Sequence, residues 1–489
     1  MFSLDHKEQN FKPSINNKVL NGEVNTPYSL INEMLDLIER DQPDVFKNSQ
    51  STWLDPACGY GYYMFALFNR LFIGLKDTIP NDDIREKHII ENMLFMCEIN
   101  EDHINFVKKK FKYKSNVFSI DFLSTTLETF NKTSKGFDYI IGNPPYNTNG
   151  VKKVPTLKNI NKRQDGYTIW DLFVKHSLSI LNKNQKQSSI CFIIPSIWMK
   201  PDKSDNYSLF LDTTYDLKYI KTFDNTTTKK IFKGQAQTPT CFFLLKNREN
   251  QNVKHEILLF DSLYNDYILY NHVKPKPIPL NFPYIFNALN ILNCKSLSDI
   301  IIKTNMPNKK TLLSDVCDKQ HKFKNIHTCC LNHNTPELQI KYSNLPCKYT
   351  NIPKIVLANK MYGFPYYDIN GEYGISNRDS YVILLDDNSD YTEHEIQILI
   401  DYLNSPFIML LFETTRYRMK YLEKYIFELL PNIIELERTY KLFENNFNYD
   451  VFINFLDLQP EYKDSINHIL STKNKYNKCK NNYYIKIEQ

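Results

Sequence analysis

An apolar strand gives way to a glycine turn and then to a helical pattern in the segment Trp53-Leu54-Asp55-Pro56-Ala57-Cys58-Gly59-Tyr60-Gly61. Glycines in such a turn let a ligand approach the backbone closely, where the helix presents its unpaired N–H groups. A dinucleotide site would need a third glycine and an acidic residue about 20 positions further on. The third glycine is missing, and the acidic residue that ends the next strand, Glu98, comes much later, after a helix-rich insertion near residues 75–91. The segment predicts a ligand-binding turn and disfavours NAD.

Three further apolar runs each end on a polar residue, namely Glu98, Asp121 and Asn143. Helical patterns at residues 63–72 and 102–110 lie between these runs, so strand and helix alternate. This order predicts an α/β fold, a parallel sheet with helices on both faces. The polar residues would then gather at the carboxyl ends of the strands, where such sheets bind ligands. Later apolar runs predict strands at residues 189–194, 217–223 and 240–245, the last two as an antiparallel edge pair.

The tetrapeptide Asn143-Pro144-Pro145-Tyr146 combines two hydrogen-bond acceptors, a stiff backbone and an aromatic ring. The side-chain oxygen of Asn143 and the carbonyl of Pro144 can accept both hydrogens of an amine on a planar ring. Tyr146 can stack on that ring. The alternative is an ordinary exit from a strand into a turn, so the tetrapeptide is most informative together with the glycine turn and the two acidic strand ends.

Taken together, these motifs resemble those of the N6-adenine DNA methyltransferases of restriction-modification type with γ motif order. The resemblance covers roughly residues 20–250, and two later motifs, 170–173 and 193–196, fit it as well. It implies a Rossmann-like methyltransferase sheet that binds S-adenosylmethionine. It further implies that Glu98 binds the ribose, that Asp121 contacts the adenine of the cofactor, and that the cofactor loop consists of Asp55, Pro56, Ala57, Cys58, Gly59 and Gly61.

The γ order rests on the stretch 22–27, Gly-Glu-Val-Asn-Thr-Pro, which precedes the glycine turn. In the family this segment closes over the methionine part of the cofactor, so Thr26 is expected to bind S-adenosylmethionine. The resemblance also makes Asn143, Pro144, Pro145 and Tyr146 the catalytic residues.

The implied reaction transfers a methyl group from S-adenosylmethionine to the N6 amino group of an adenine in duplex DNA. An adenine inside the double helix cannot reach a pocket, so it must be flipped out, with Tyr146 and Phe232 stacking on it. Structural roles stay open beside the functional ones: Glu98, Asp121 and Thr26 also fit helix caps, and Phe232 equally fits the core.

With 489 residues the chain exceeds one ordinary core, so two domains are expected. We predict a catalytic domain over 1–250, a proline-rich linker region over 251–280, a mixed α+β target-recognition domain over 281–472 and a basic tail over 473–489. Strands near 354–357 and 381–385 and a helix over 393–403 are expected in the recognition domain. Its turn at 368–371 and helix end at 403–405 resemble those of type II recognition domains, and its candidate base readers are Asn359, Lys360, Asn377 and Arg378.

The net charge of +5 permits a polyanionic partner without requiring one. A basic loop follows the catalytic tetrapeptide directly, whereas the lysines at 108–112 fit a solvated helix end. We expect double-stranded DNA as the partner and phosphate contacts from the loop residues Lys152, Lys153, Lys158, Lys162 and Arg163.

The chain starts without a signal-peptide pattern and has no apolar run of about 18 residues, which predicts a soluble, intracellular protein. Its ten cysteines are scattered, as reduced thiols would be. Cysteines and histidines crowd between 317 and 347, but their spacing fits no standard zinc pattern, so no metal is expected. Only about twenty residues precede the first motif, so a fused nuclease is not expected there. We expect any restriction endonuclease to be a separate chain, and we expect the protein to be a monomer.

Other functions remain open at this stage. Release-factor glutamine methyltransferases carry a similar tetrapeptide but lack so long a C-terminal part, and N4-cytosine enzymes more often have serine in place of Asn143. RNA methylation and a catalytically inactive DNA-binding protein are further alternatives.

Overall fold

The computed structural model describes residues 24–130, 135–147, 168–201, 205–211, 214–236, 238–247, 256–332, 335–358, 364–378, 380–385, 390–418 and 421–473. The chain divides into two compact units. The first comprises Met1–Trp198 and Asp202–Leu258, and the second comprises Met199–Pro201 and Leu259–Gln489.

The first unit alternates strands and helices along the chain, as the sequence predicts. Its described strands are β1 Trp53–Asp55, β2 Leu94–Glu98, β3 Asn116–Ser119, β4 Tyr139–Gly142, β5 Ser189–Pro195, β6 Tyr215–Phe223 and β7 Thr240–Asn247. Its described helices are α1 Tyr28–Asp41, α2 Tyr62–Gly74, α3 Asp82–His88, α4 Glu101–Lys110, α5 Trp170–Ile180, α6 Asn206–Phe210 and α7 Asn225–Ile231. The insertion between α2 and β2 is helical, as predicted: it contains α3, which continues into a π-helical turn at Ile89–Met93.

The strands of the first unit lie in one sheet in the order β3-β2-β1-β4-β5-β7-β6. The five strands from β3 to β5 pair in parallel, so their carboxyl ends meet at one edge. Strand β7 runs antiparallel to both of its neighbours, β5 and β6. The antiparallel pairing of β6 with β7 is confirmed, and β7 lies between β5 and β6.

The central strands are buried over nearly their whole length: every residue of β1 and β4 is buried, and so are the first four of β2 and the first six of β5. A strand that is buried without alternation has both of its faces covered, as in sheets flanked by helices on both sides. The predicted Rossmann-like α/β fold is confirmed for this unit.

The range 251–280 is not a plain linker in the described part of the chain. It contains β8, Ile257–Asp261, and β9, Asp266–Tyr270. The division between the two units falls inside β8. Strand β8 alternates between buried and half-buried residues, whereas the predicted linker rests on the proline cluster at 275–279.

The second unit combines helices with two four-stranded sheets, which confirms the predicted mixed α+β character. One sheet has the order β10-β17-β14-β15 and the other β11-β13-β12-β16. Their strands are β10 Ile302–Lys303, β11 Leu313–Ser314, β12 Phe323–Asn332, β13 Thr335–Ser343, β14 Lys354–Leu357, β15 Tyr366–Asp368, β16 Gly374–Ile375 and β17 Tyr381–Leu384. Its described helices are α8 Pro283–Ile291, α9 Glu393–Asn404, α10 Pro406–Phe412, α11 Ile426–Leu429, α12 Ile433–Tyr440, α13 Tyr449–Phe455 and α14 Pro460–Thr472.

The predicted helix over 393–403 is confirmed as α9. Thr392 and Glu395 form a capping box at its start, which satisfies N–H groups that the first turn would otherwise leave unpaired. No single helix within the described ranges has both the length and the apolar character to cross a membrane; one bent pair, Glu393–Asn404 with Pro406–Thr415, passes that test only when its two helices are counted together.

The cysteines and histidines between 317 and 347 do not converge on one point. Three or more His, Cys, Asp or Glu side chains in a metal-binding arrangement occur nowhere among the described residues. His321 contacts Asp318 instead, and His327 contacts Ser376. His333 lies outside the described residues.

Candidate functional site

The glycine turn joins β1 to α2 in a conformation that requires glycine. Gly59 and Gly61 have φ angles of +52° and +76°, in the left-handed region that strains other residues. The turn is tied to the neighbouring strand, because the N–H of Cys58 donates to the carbonyl of Cys97 at 3.0 Å. A Cβ atom added at Gly59 would meet nothing within 4 Å among the described residues, so the turn is open on that side.

Glu98 ends β2 and braces the glycine turn. Its Oε2 accepts the N–H of Gly59 at 2.7 Å, and its Oε1 accepts the N–H groups of Ile99 and Asn100 at 2.8 Å each. Burial alone would raise the pKa of Glu98. The nearby His103, whose Nδ1 lies 3.7 Å from Oε2, and the N–H groups of Asn100 and Gly59 outweigh burial, so the pKa of Glu98 is lowered and the carboxylate is held in the ionised form.

Asp55 ends β1 and is almost completely buried. Its Oδ1 accepts the N–H of Ala57 at 3.1 Å, whereas its Oδ2 has no hydrogen-bond partner in the part of the chain that is described. Burial, with a further contribution from the nearby Glu98, raises the pKa of Asp55 to about 8. The carboxyl group is thus prepared for a positively charged partner, which would stabilise its ionised form.

Gly142, the last residue of β4, brings this strand against Asp55. A Cβ atom at Gly142 would lie 2.8 Å from Oδ1 of Asp55 and 3.4 Å from Cδ of Pro56. The last residue of β4 must therefore be glycine for the tetrapeptide to lie beside the glycine turn. In the sequence Gly142 is visible only as the residue before Asn143, and its close approach to Asp55 exists only in the fold.

Asn143 follows β4 and presents its side-chain oxygen as a free acceptor. Its Nδ2 donates to Oγ1 of Thr26 at 3.1 Å and lies 3.4 Å from the carbonyl of Val24. Its Oδ1 is buried, and no described group donates to it. A buried acceptor without a donor is costly, so an unpaired oxygen at this place points to a ligand with N–H groups.

The rest of the tetrapeptide lies partly inside the protein. Pro144 is buried, and Pro145 and Tyr146 are half-buried. The hydroxyl group of Tyr146 is itself buried and has no hydrogen-bond partner within the described ranges, and burial raises its pKa well above 10. Its carbonyl accepts the N–H of Ile169 at 3.1 Å, which joins the tetrapeptide to the start of α5.

Asp121 lies close to the end of β2, and its side chain acts as a helix cap, the structural alternative that the sequence left open. The N–H of the preceding residue, Ile120, donates to the carbonyl of Glu98 at 3.0 Å. The exposed side chain of Asp121 caps a short 3₁₀ turn by accepting the N–H of Leu123 at 3.0 Å. Its second carboxylate oxygen leaves a cofactor contact available, and that role stays a prediction.

Thr26 lies beside Asn143 and does not cap α1. The N-cap of α1 is Pro27, and no side chain accepts a hydrogen bond there. Thr26 is 7% exposed, and its hydroxyl accepts the Nδ2 of Asn143 and lies 3.5 Å from the hydroxyl of Tyr63. The cap alternative is therefore wrong, and the segment before α1 reaches the tetrapeptide directly.

The predicted stacking residue Phe232 does not lie exposed at the site. Phe232 is 1% exposed at the end of α7, which is the core role that the sequence left open, so its ring offers no face for stacking in this conformation. The basic residues Lys152, Lys153, Lys158, Lys162 and Arg163 lie outside the described residues.

Several known proteins are similar to this chain. Residues 65–232 match the model of the Eco57I restriction-modification methylase family. An uncharacterized adenine-specific methylase of Mycoplasma pneumoniae is 25% identical over 312 residues, covering 49% of this chain and 71% of the relative. The type II restriction enzyme and methyltransferase RM.Eco57I of Escherichia coli is 28% identical over 134 residues, covering 26% of this chain and 13% of the relative. Among solved structures, the type IIL restriction-modification enzyme MmeI in complex with DNA has a TM-score of 0.46 and 12% identity, covering 94% of this chain and 78% of that one.

Proposed function

Taking its likeness to the adenine-specific methylases of restriction-modification systems as the premise, we propose that this chain transfers a methyl group to the N6 amino group of adenine in double-stranded DNA. The resemblance inferred from the sequence is confirmed at the level of the family by the match over residues 65–232 and by both relatives. The γ motif order remains a prediction.

The single observation that carries the proposal is the unpaired Oδ1 of Asn143. The lone pair of an adenine amino group is delocalised into the ring, so the amine must be redirected before it can accept a methyl group. Oδ1 of Asn143 and the carbonyl of Pro144 accept the two amine hydrogens, which turns the nitrogen lone pair towards the methyl donor. Tyr146 stacks on the base once it has left the double helix.

The residues around the glycine turn fit S-adenosylmethionine as the cofactor. When bound, it supplies an electrophilic methyl group. The open side of Gly59 leaves room for a ligand against the backbone, and the unpaired Oδ2 of Asp55 offers a negative partner for a cationic ligand. Glu98 holds the turn and keeps its charge, so it remains available for ribose hydroxyl groups.

The second unit is proposed to recognise the DNA sequence. Of its candidate base readers, Arg378 is exposed, whereas Asn377 donates its side-chain N–H to the carbonyl of His327 and supports the fold. Asn359 and Lys360 lie outside the described residues. We further propose that the chain acts as a monomer and that any cognate restriction endonuclease is a separate chain.

The test measures methyl transfer from labelled S-adenosylmethionine to DNA, with the modified bases mapped in DNA from cells that express the chain. N6-methyladenine at one recurring sequence is the expected product. Methylated cytosine, methylation of RNA or of a protein glutamine, or tight DNA binding without transfer would each contradict the proposal.

Asn143→Ala tests the assigned chemistry. Because no other described group replaces the lost oxygen, transfer should fall by roughly 100-fold or more, while the dissociation constant of S-adenosylmethionine stays close to that of the wild type. Asn69→Ala is a matched control, since Asn69 is a half-buried asparagine on α2 that donates to the hydroxyl of Tyr28. Wild-type turnover in Asn143→Ala would rule out the catalytic assignment.

A further inference from the structure

The side-chain amide of Asn143 is held by a segment that lies 117 residues earlier in the chain. Its Nδ2 contacts both the hydroxyl of Thr26 and the carbonyl of Val24. A carbonyl oxygen can only accept a hydrogen bond, so the Val24 contact decides which end of the amide faces the segment. The nitrogen must face Val24 and Thr26, and Oδ1 must point away from them.

The segment itself is anchored on both sides. The N–H of Asn25 donates to Oε1 of Gln235 at 3.2 Å, which ties it to the turn after α7. On its other side α1 begins, where the carbonyl of Pro27 accepts the N–H groups of Leu30 and Ile31 at 3.0 and 3.1 Å. Thr26 is therefore held by its neighbours and cannot simply follow a rotation of the Asn143 side chain.

The orientation of this amide matters because its two ends have opposite hydrogen-bonding character. Rotation by 180° would present the NH₂ group, a pure donor, to the amine hydrogens of the target base. The two donors would repel each other, and the nitrogen would also lose its contacts with Thr26 and Val24. The rotated amide therefore loses favourable interactions at both its nitrogen and its oxygen.

We propose that Thr26 is a positioning residue for Asn143, an inference that rests on the proposed function. Its hydroxyl accepts the amide N–H and so keeps Oδ1 directed at the target amine before the base arrives. The resemblance assigned Thr26 to the cofactor alone. The contact with Asn143 gives it a second role, which acts on the chemical step instead of on cofactor affinity.

The test compares Thr26→Val, which keeps the shape of the side chain but removes the acceptor, with Thr26→Ser, which keeps the acceptor. Thr26→Val should lower kcat by about tenfold or more, since misplacement of a reacting group commonly costs that much. KM for DNA should stay within about twofold of the wild type, because the lost interaction serves the transition state. The loss of kcat should persist at saturating S-adenosylmethionine, so a weaker cofactor contact of Thr26 cannot account for it. Thr26→Ser should recover most of kcat.

Thr52→Val is the matched control. Thr52 hydrogen-bonds Asp138 at the opposite end of β4, so this variant also loses a threonine hydrogen bond next to the same strand. It should leave kcat unchanged. If Thr26→Val weakens cofactor binding at unchanged kcat, or if Thr26→Ser is impaired as much as Thr26→Val, the positioning role is wrong.

A second measurement separates this inference from the proposed function. In a double-mutant cycle of urea unfolding with Thr26→Val and Asn143→Ala, the two losses of stability should be non-additive, because both remove the same hydrogen bond. If the wild-type protein transfers no methyl group to adenine, the proposed function is wrong. If the losses of stability in the cycle are additive, the contact between Thr26 and Asn143 is wrong, whatever the outcome of the transfer assay. If Thr26→Val does not fold, Thr26→Ala takes its place in both measurements.

Discussion

The carboxyl group of Asp55 combines burial with an oxygen that lacks a partner within the described structure. Its pKa of about 8 lies far above the usual value of 3.8. The folded protein therefore keeps a proton on Asp55 at pH values where the unfolded chain has released it. Ionisation of this buried carboxyl group destabilises the folded state, and such groups are typical of sites that bind a charged ligand.

The pH dependence of unfolding should report this buried carboxyl group. Because its pKa is raised on folding, the folded state binds more protons than the unfolded chain between pH 3.8 and about 8, so the contribution of Asp55 to stability falls as pH rises through this window. Asp55→Asn should remove that dependence. The free energy of unfolding of Asp55→Asn relative to wild type should increase from pH 5 to pH 8, by at most ~1.4 kcal/mol per pH unit.

Urea unfolding of the empty protein at several pH values measures this difference. Asp44→Asn is the control for the loss of one carboxyl group, since the side chain of Asp44 is 81% exposed. Parallel pH profiles for Asp55→Asn and wild type would contradict the raised pKa. The same variant should bind S-adenosylmethionine more weakly, because an amide cannot balance a positive charge.

At the scale of elements, the strand runs themselves were predictable because burial on both faces leaves a continuous apolar pattern. The sequence could not show that β7 is inserted between β5 and β6, because strand order depends on which backbone edges meet. Strand β8 was missed for a different reason. The stretch 257–261 is an apolar run that ends on an aspartate, like the predicted strands, but the predicted linker rests on the proline cluster at 275–279.

A buried ion pair joins β14 to β15 in the second unit. The side chains of Lys354 and Asp368 are 0% and 2% exposed, and Nζ of Lys354 donates to Oδ2 of Asp368. Asp368 also accepts the N–H groups of Glu372 and Tyr373, so it organises the turn that follows β15. Removing one partner leaves the other charge buried and unpaired.

Asp368→Asn should therefore lower the free energy of unfolding by about 3–5 kcal/mol. Adding Lys354→Met to it should recover part of the loss, since the unpaired charge is then gone. Glu372→Gln provides the matched control: Glu372 pairs with Lys324 at 3.9 Å, but both side chains are about half exposed, so its loss should stay below about 1 kcal/mol. Urea unfolding measures all four proteins, and equal losses for the buried and the exposed pair would contradict the argument.

At the scale of the whole molecule, the proposed function assigns cofactor chemistry to the first unit and DNA reading to the second. All the residues that contact one another around Asn143 belong to the first unit. The division after Leu258 lies near the predicted end of the catalytic domain at 250, although Met199–Pro201 goes with the second unit. Short tripeptides of this kind leave no signal in composition or periodicity, so no sequence pattern could assign them.

Arg378→Ala tests the proposed task of the second unit. If the exposed Arg378 contacts base edges, affinity for the recognition sequence should fall by roughly 5- to 150-fold, while the dissociation constant of S-adenosylmethionine stays unchanged. Lys295→Ala is the control for net charge, because Lys295 is an exposed lysine of the same unit that pairs with Glu435. Titrations with cognate and unrelated duplexes measure the effect. An equal loss on both duplexes indicates a phosphate contact, and no loss on either excludes Arg378 from the interface.

The sequence by itself determined the strand-turn-helix unit, the polar residues at the strand ends and the tetrapeptide Asn143-Pro144-Pro145-Tyr146, because each depends on neighbours within a few positions. It also supported the family. Only the tertiary structure decided that Thr26 contacts Asn143, that Gly142 lies against Asp55 and that Phe232 belongs to the core. These contacts join residues far apart in the chain, and a hydrogen bond between such residues exists only after folding has brought donor and acceptor together.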